Sequence, residues 1–153
     1  MQLSGVFLEL GEPRLADLVK GISIGKLRTY QLYERFKIRT HLAKVNTENL
    51  RKAVPRFWQR FSDGDDELAS DLSQAILIAH MDMIVNVLDF LGVPNQQGFF
   101  DKDSDAKQHL TDGWRERAFE RFRAEYPESL LLFYLNHLGC ELGVAERAFL
   151  PAA

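Results

Sequence analysis

The chain has 153 residues, 46% of them hydrophobic and 11% aromatic, which is enough for one domain with its own core and excludes a disordered polyelectrolyte. The net charge is −3, and a single cysteine, Cys140, excludes an internal disulfide and any multi-cysteine metal centre. The uninterrupted apolar runs are far shorter than the roughly 20 residues of a bilayer span, and Met1–Gly5 lacks the pattern of a signal peptide, so the expectation is a cytoplasmic protein with no membrane association.

Near the start, Val6 to Leu10 is the one stretch that reads as a short extended segment. Pro13 suits the first turn of a helix that runs to Lys20, before Gly21. A second helix is expected from Ser23 to Lys44. Asn46 or Thr47 caps a third, which carries Pro55; proline removes the bond to the Arg51 carbonyl and predicts a kink or break. Asp63, Asp65, Asp66 and Glu67 crowd the start of a fourth, where acids favour the positive end of the helix dipole. It runs to Leu91 and is stopped by Gly92 and Pro94. After a loop over 93–104, a fifth helix spans Asp112 to Tyr126, and Pro127 opens a last one that ends near Gly143. Six helices with mostly short connections predict an all-α fold, a compact bundle in a single domain over residues 1–153. On one wheel of the fourth helix, Ile76, Leu77, His80, Ile84, Val87, Leu88 and Leu91 form the buried face, opposite Asp71, Asp82 and Asp89.

The two signs of charge are segregated. Residues 20–60 hold eleven Lys and Arg against Glu34 and Glu48, a balance of +9; residues 61–112 hold eleven acids against Lys102 and Lys107, a balance of −9. Arg28, Arg35 and Arg39 share a stripe on the second helix. Lys52, Arg56 and Arg60 line the third, opposite Leu50, Val54, Phe57 and Phe61. These six cations are the candidate anion-binding residues, suited to nucleic acid, a phosphorylated ligand or an acidic partner. Leu15–Leu18, the turn Gly21-Ile22 and Lys26–Tyr33 also follow a helix-turn-helix spacing, although Asp17 stands where a small residue usually packs. The simpler reading pairs the basic segment with the acidic one, and nucleic acid is not the favoured partner.

Asp101, Asp103 and Asp105 fall at positions one, three and five of a calcium-type loop, with Asp112 at twelve. Ala106 replaces the turn glycine and Asp112 is shorter than the bidentate Glu, which favours a plain acidic loop ahead of a helix. His80, His137 and Glu141 are the other metal or proton-transfer candidates; His137 and Glu141, four apart, share a helix face. Cys140 reads as a buried, inert thiol. Phe99 and Phe100 are expected to fold back and plug the bundle, the alternative being one ring left to meet a partner. No cofactor and no catalytic residue is implied. The favoured function is therefore a non-enzymatic helical binding or protein-interaction module, with which a homodimer through an apolar helix face is compatible. Nucleic-acid binding through 20–60 is the first alternative, and a small enzyme or metal protein with a site inside the bundle is the second.

Overall fold

The computed structural model describes residues 1–22, 51–101 and 105–151. Among these the chain is all-α, with seven α-helices, two short 3-10 turns and no strand. The helices are α1 (Leu3–Leu10), α2 (Glu12–Lys20), α3 (Val54–Ser62), α4 (Asp66–Leu77), α5 (Met81–Leu91), α6 (Trp114–Phe122) and α7 (Glu128–Glu141). The second expected helix, with Arg28, Arg35 and Arg39, lies outside the described residues, as do Asp103 and the second half of the helix-turn-helix spacing. The described helices gather into two compact units, Gln2–Ala79, and His80–Ala153 together with Met1.

In the first unit, α1 corrects the extended segment expected at Val6 to Leu10. Val6, Phe7 and Leu10 are all buried, a helical spacing that a strand would have split between two faces. Phe7 stacks on Phe61 of α3 with ring centroids 4.7 Å apart, and Phe57 lies behind Phe61 at 6.5 Å. Gly11, at φ +95°, lets α1 turn directly into α2, whose first turn contains Pro13 as expected. The break predicted at Pro55 is present. Arg51 and Lys52 are helical, Ala53 is not, and α3 restarts at Val54 with the proline in its first turn, where its missing N–H leaves no bond unmade.

The single helix expected up to Leu91 is two. The 3-10 turn Ile78–His80 separates α4 from α5. A 3-10 turn holds 3.0 residues rather than 3.6, so a wheel phased on one half does not carry into the other. In α4 the buried set is Leu68, Ala69, Leu72, Ser73, Ala75 and Ile76, and it takes in Asp71, which corrects the exposure expected there. In α5 it is Met83, Ile84, Val87 and Leu88, with Asp82 and Asp89 exposed as expected. Leu77, His80 and Leu91 are only half-buried. By length and composition the run Asp66–Leu91, 26 residues, is enough to cross a membrane.

In the second unit α6 packs between α5 and α7. Helix α7 is buried from Leu130 through Asn136, and again at Leu138 and Gly139, the profile of a central helix. Phe90 and Phe122 pack in an edge-to-face arrangement, with ring centroids 5.6 Å apart. Pro127 precedes α7 and Gly143 (φ +68°) ends it, as the sequence predicts. The fifth expected helix is shorter than its pattern, Trp114–Phe122 in place of Asp112 to Tyr126; Gly113, left-handed at its N-cap, sets the later start.

Candidate functional site

The feature that stands out in the second unit is a hairpin turn between α5 and the turn Asp105–His109. Gln96 and Phe99 exchange both main-chain bonds, N–H to O at 2.8 and 3.0 Å. Between them Gln97 (φ +53°) and Gly98 (φ +92°) are both left-handed, the pattern of a type I′ turn. Gln97 is the one non-glycine with positive φ among the described residues, a conformation disfavoured by about 1–2 kcal/mol. The turn is pinned in place. Asn95 Oδ1 accepts from the Gly98 N–H at 3.0 Å, and its Nδ2 donates to Asp89 Oδ1 and to the Val93 carbonyl, each at 3.0 Å. Gly98 lies so close to α5 that a Cβ there would stand 2.8 Å from Met81 Cε and 3.2 Å from Ile84 Cγ2.

This scaffold holds Phe99 outward, 60% exposed, while Phe100 beside it is half-buried. The expectation that both rings plug the bundle is thereby corrected: adjacent residues leaving a two-residue turn point to opposite sides. Phe99 and Phe100 line a cleft of about 620 Å³ together with Pro94, Ala106 and His109. The exposed carboxylates of Asp101 and Asp105 stand on the same cleft, so an apolar hollow carries an acidic rim.

The other sequence candidates distribute as follows. His137 Nδ1 lies 3.6 Å from Glu141 Oε2, the shared face that their spacing predicts. Burial, and after it the charge of Glu141, pushes the phenol of Tyr134 well above the ordinary tyrosine range. His80 does not join that pair. Among the described residues no three His, Cys, Asp or Glu side chains come together as a metal site requires. In the calcium-type loop Asp105 begins a 3-10 turn and Ala106 is buried. Cys140, expected to be buried, is half-buried, and its thiol donates to the Met1 carbonyl at 3.1 Å.

On α3, Lys52 just before the helix, Arg56 and Arg60 are exposed, and Val54, Phe57 and Phe61 are buried opposite them, the expected amphipathic division. Arg60 is bound to Asp65, Nη2 and Nε lying 2.8 and 2.9 Å from Oδ2, so at this position the basic and acidic segments pair across five residues of sequence.

Sequence reasoning did not single out Asn136 and Arg115. Asn136 on α7 is fully buried and its carboxamide is completely used. Oδ1 accepts from the Phe149 N–H at 2.6 Å and from Arg115 Nη1 at 2.9 Å. Nδ2 donates to the carbonyls of Leu132 and Phe149, each at 2.9 Å. Arg115 Nη1 also reaches the Arg147 carbonyl at 2.8 Å, and burial draws its guanidinium below the usual arginine range, opposed by Glu116. An asparagine inside an apolar helical run was the available signal, since a buried carboxamide must find partners. No family model, curated protein or solved structure matches the chain.

Proposed function

We propose that this chain is a non-enzymatic protein-interaction module, and that it docks a partner segment at the cleft beside Phe99. The observation that carries the reading is the outward Phe99 on a pinned, left-handed turn. Backbone strain that serves to present an exposed aromatic is an expensive feature for a loop that only connects helices. Aromatic anchors dominate binding energy at interfaces, and an anchor carried on a backbone that is already ordered saves the entropy of ordering that loop on binding. Asp101 and Asp105 define the chemistry of the partner: an apolar side chain for the hollow, flanked by lysine or arginine for the rim. On the same reading the protein works in the cytoplasm and needs neither cofactor nor membrane, the α4 part of its apolar run being used in its own core.

Panning a displayed peptide library against the full chain tests this. Enriched peptides should combine an aromatic or aliphatic residue with basic ones and lose roughly tenfold or more in affinity on Phe99→Ala. That variant should melt with the parent, because the ring is exposed. Enriched peptides that bind the variant equally well, or that lack basic residues, would overturn the proposal.

A further inference from the structure

Residues 142–151, after α7, stay with the second unit. The chain turns at Leu142 and Gly143 and runs back along the helix it has just left, as a non-helical arm over residues 144–151. Ala145 is buried against Gly139, where an added Cβ would come within 2.8 Å of the Ala145 Cβ and 3.4 Å of Trp114 Cζ2. Phe149 packs on Phe119 of α6 in an edge-to-face arrangement, with ring centroids 5.7 Å apart. Between these side-chain seats the polar attachments from α6 and α7 go to the arm's main chain. Asn136 holds both the N–H and the C=O of Phe149, and Arg115 holds the carbonyl of Arg147. This is how a receptor holds an extended peptide: a bidentate side-chain clamp on one residue, with a small and an aromatic side chain seated four residues apart.

We infer that the arm is exchangeable, and that the groove of α6 and α7 accepts the same arm from a second copy of this chain. An arm arriving in trans remakes every one of these bonds, so the two arrangements differ only at the hinge. There Gly143, at φ +68°, carries the turn, with its N–H on the Cys140 carbonyl (3.2 Å) and the Val144 N–H on the Gly139 carbonyl (3.0 Å). A Cβ placed on Gly143 would meet nothing within 4 Å, so no neighbouring side chain packs against the hinge on that side. When the arm lifts, Asn136 keeps its bonds to Arg115 and to the Leu132 carbonyl but loses both bonds to Phe149, and an arm from either copy restores them on refilling the groove. Mutual exchange closes a two-fold dimer, because each copy gives one arm and receives one.

Shortening the hinge tests the inference in the full chain. Deleting Gly143 and Val144 keeps the arm from reaching both seats in cis, so light scattering under reducing conditions should show a doubled mass at parental helicity. Asn136→Leu in that background should return the monomer. A folded monomer after the deletion overturns the proposal, and so does a dimer that survives Asn136→Leu, since it would use another surface. If the deleted chain fails to fold, a fluorescent peptide of residues 144–151 decides the matter on the full-length Phe149→Ala chain. Weakening the resident arm should make capture roughly tenfold tighter than by the parent, because the open fraction rises, and Asn136→Leu should abolish it. No capture, or equal capture by parent and variant, rejects the exchange.

Discussion

Asp66 Oδ1 accepts the main-chain N–H of Ser4 at 3.0 Å, so an acid in the first turn of α4 completes the start of a helix 62 residues before it. Helix α1 has no side-chain cap of its own, since Gln2 supplies none. Asp66→Ala should therefore lower stability by about 0.5–2 kcal/mol, the usual cost of losing a helix cap, whereas Asp66→Asn should retain most of it. Thermal melts check this, with a fall of about 2–4 °C per kcal/mol at this chain length. Equal melting of the alanine variant and the parent would mean that the bond contributes nothing.

The same acids show what the sequence could and could not reveal. Their crowding marked the start of α4 through the helix dipole, and Asp65 does cap it, accepting from the Leu68 N–H at 2.9 Å. The long-range bond of Asp66 was invisible, because no local pattern encodes which distant N–H is left over. Helix class, the Pro55 break and the Gly143 stop were legible, since each depends on residues within one turn. The burial of Asp71 was not, because the phase change at Ile78–His80 comes from packing and leaves no glycine or proline behind. At the candidate site Phe99-Phe100 was visible as a pair, but its direction depends on Gln97 adopting a left-handed conformation that its side chain does not favour. Asn136 was visible only as a lone polar residue in an apolar run, a sign that its carboxamide needs partners but not of which distant groups supply them.

Gly98 should tolerate no side chain. At φ +92° an alanine is strained, and its Cβ would press on Met81 Cε at 2.8 Å. Gly98→Ala should cost about 1 kcal/mol or more through the backbone alone. Adding Met81→Ala removes the contact with Met81 but neither the 3.2 Å approach to Ile84 Cγ2 nor the strain, so the double variant should not recover what the turn lost. Binding of the selected peptides should fall in both, since each tilts Phe99. Peptide binding unchanged by Gly98→Ala would separate the turn from the docking surface.

Tyr134 makes stability depend on pH in the alkaline range. Burial is the main reason that its phenol holds its proton above the ordinary value of 10.0, with the charge of Glu141 adding to it. Above that value the unfolded chain loses the proton while the folded chain keeps it, so the folded state binds more protons and stability falls as pH rises. The contribution is complete below about pH 10 and declines beyond it by up to about 1.4 kcal/mol per pH unit. Urea unfolding at about pH 9 and about pH 11 should show this slope, and Tyr134→Phe should flatten it. An identical slope in the phenylalanine variant would assign the pH dependence to other groups.

The basic face of α3 separates a docking protein from a nucleic-acid binder. Arg56 and Arg60 on α3 and Lys52 just before it are exposed, yet Arg60 is already committed to Asp65 at 2.8 Å. A phosphate would have to compete with that carboxylate, and Asp65 would repel it. The expected result is that duplex DNA at micromolar protein forms no complex that survives about 150 mM salt. Replacing the three cations together by glutamine should then leave peptide docking at Phe99 intact and cost only about 0–1 kcal/mol of stability, the usual worth of an exposed ion pair. Gel-shift titrations of parent and triple variant at two salt concentrations give the answer. A salt-resistant complex in the parent, weakened for all sequences alike in the variant and with a shallower salt slope, would identify this face as a phosphate-binding surface and displace the docking cleft as the protein's main site.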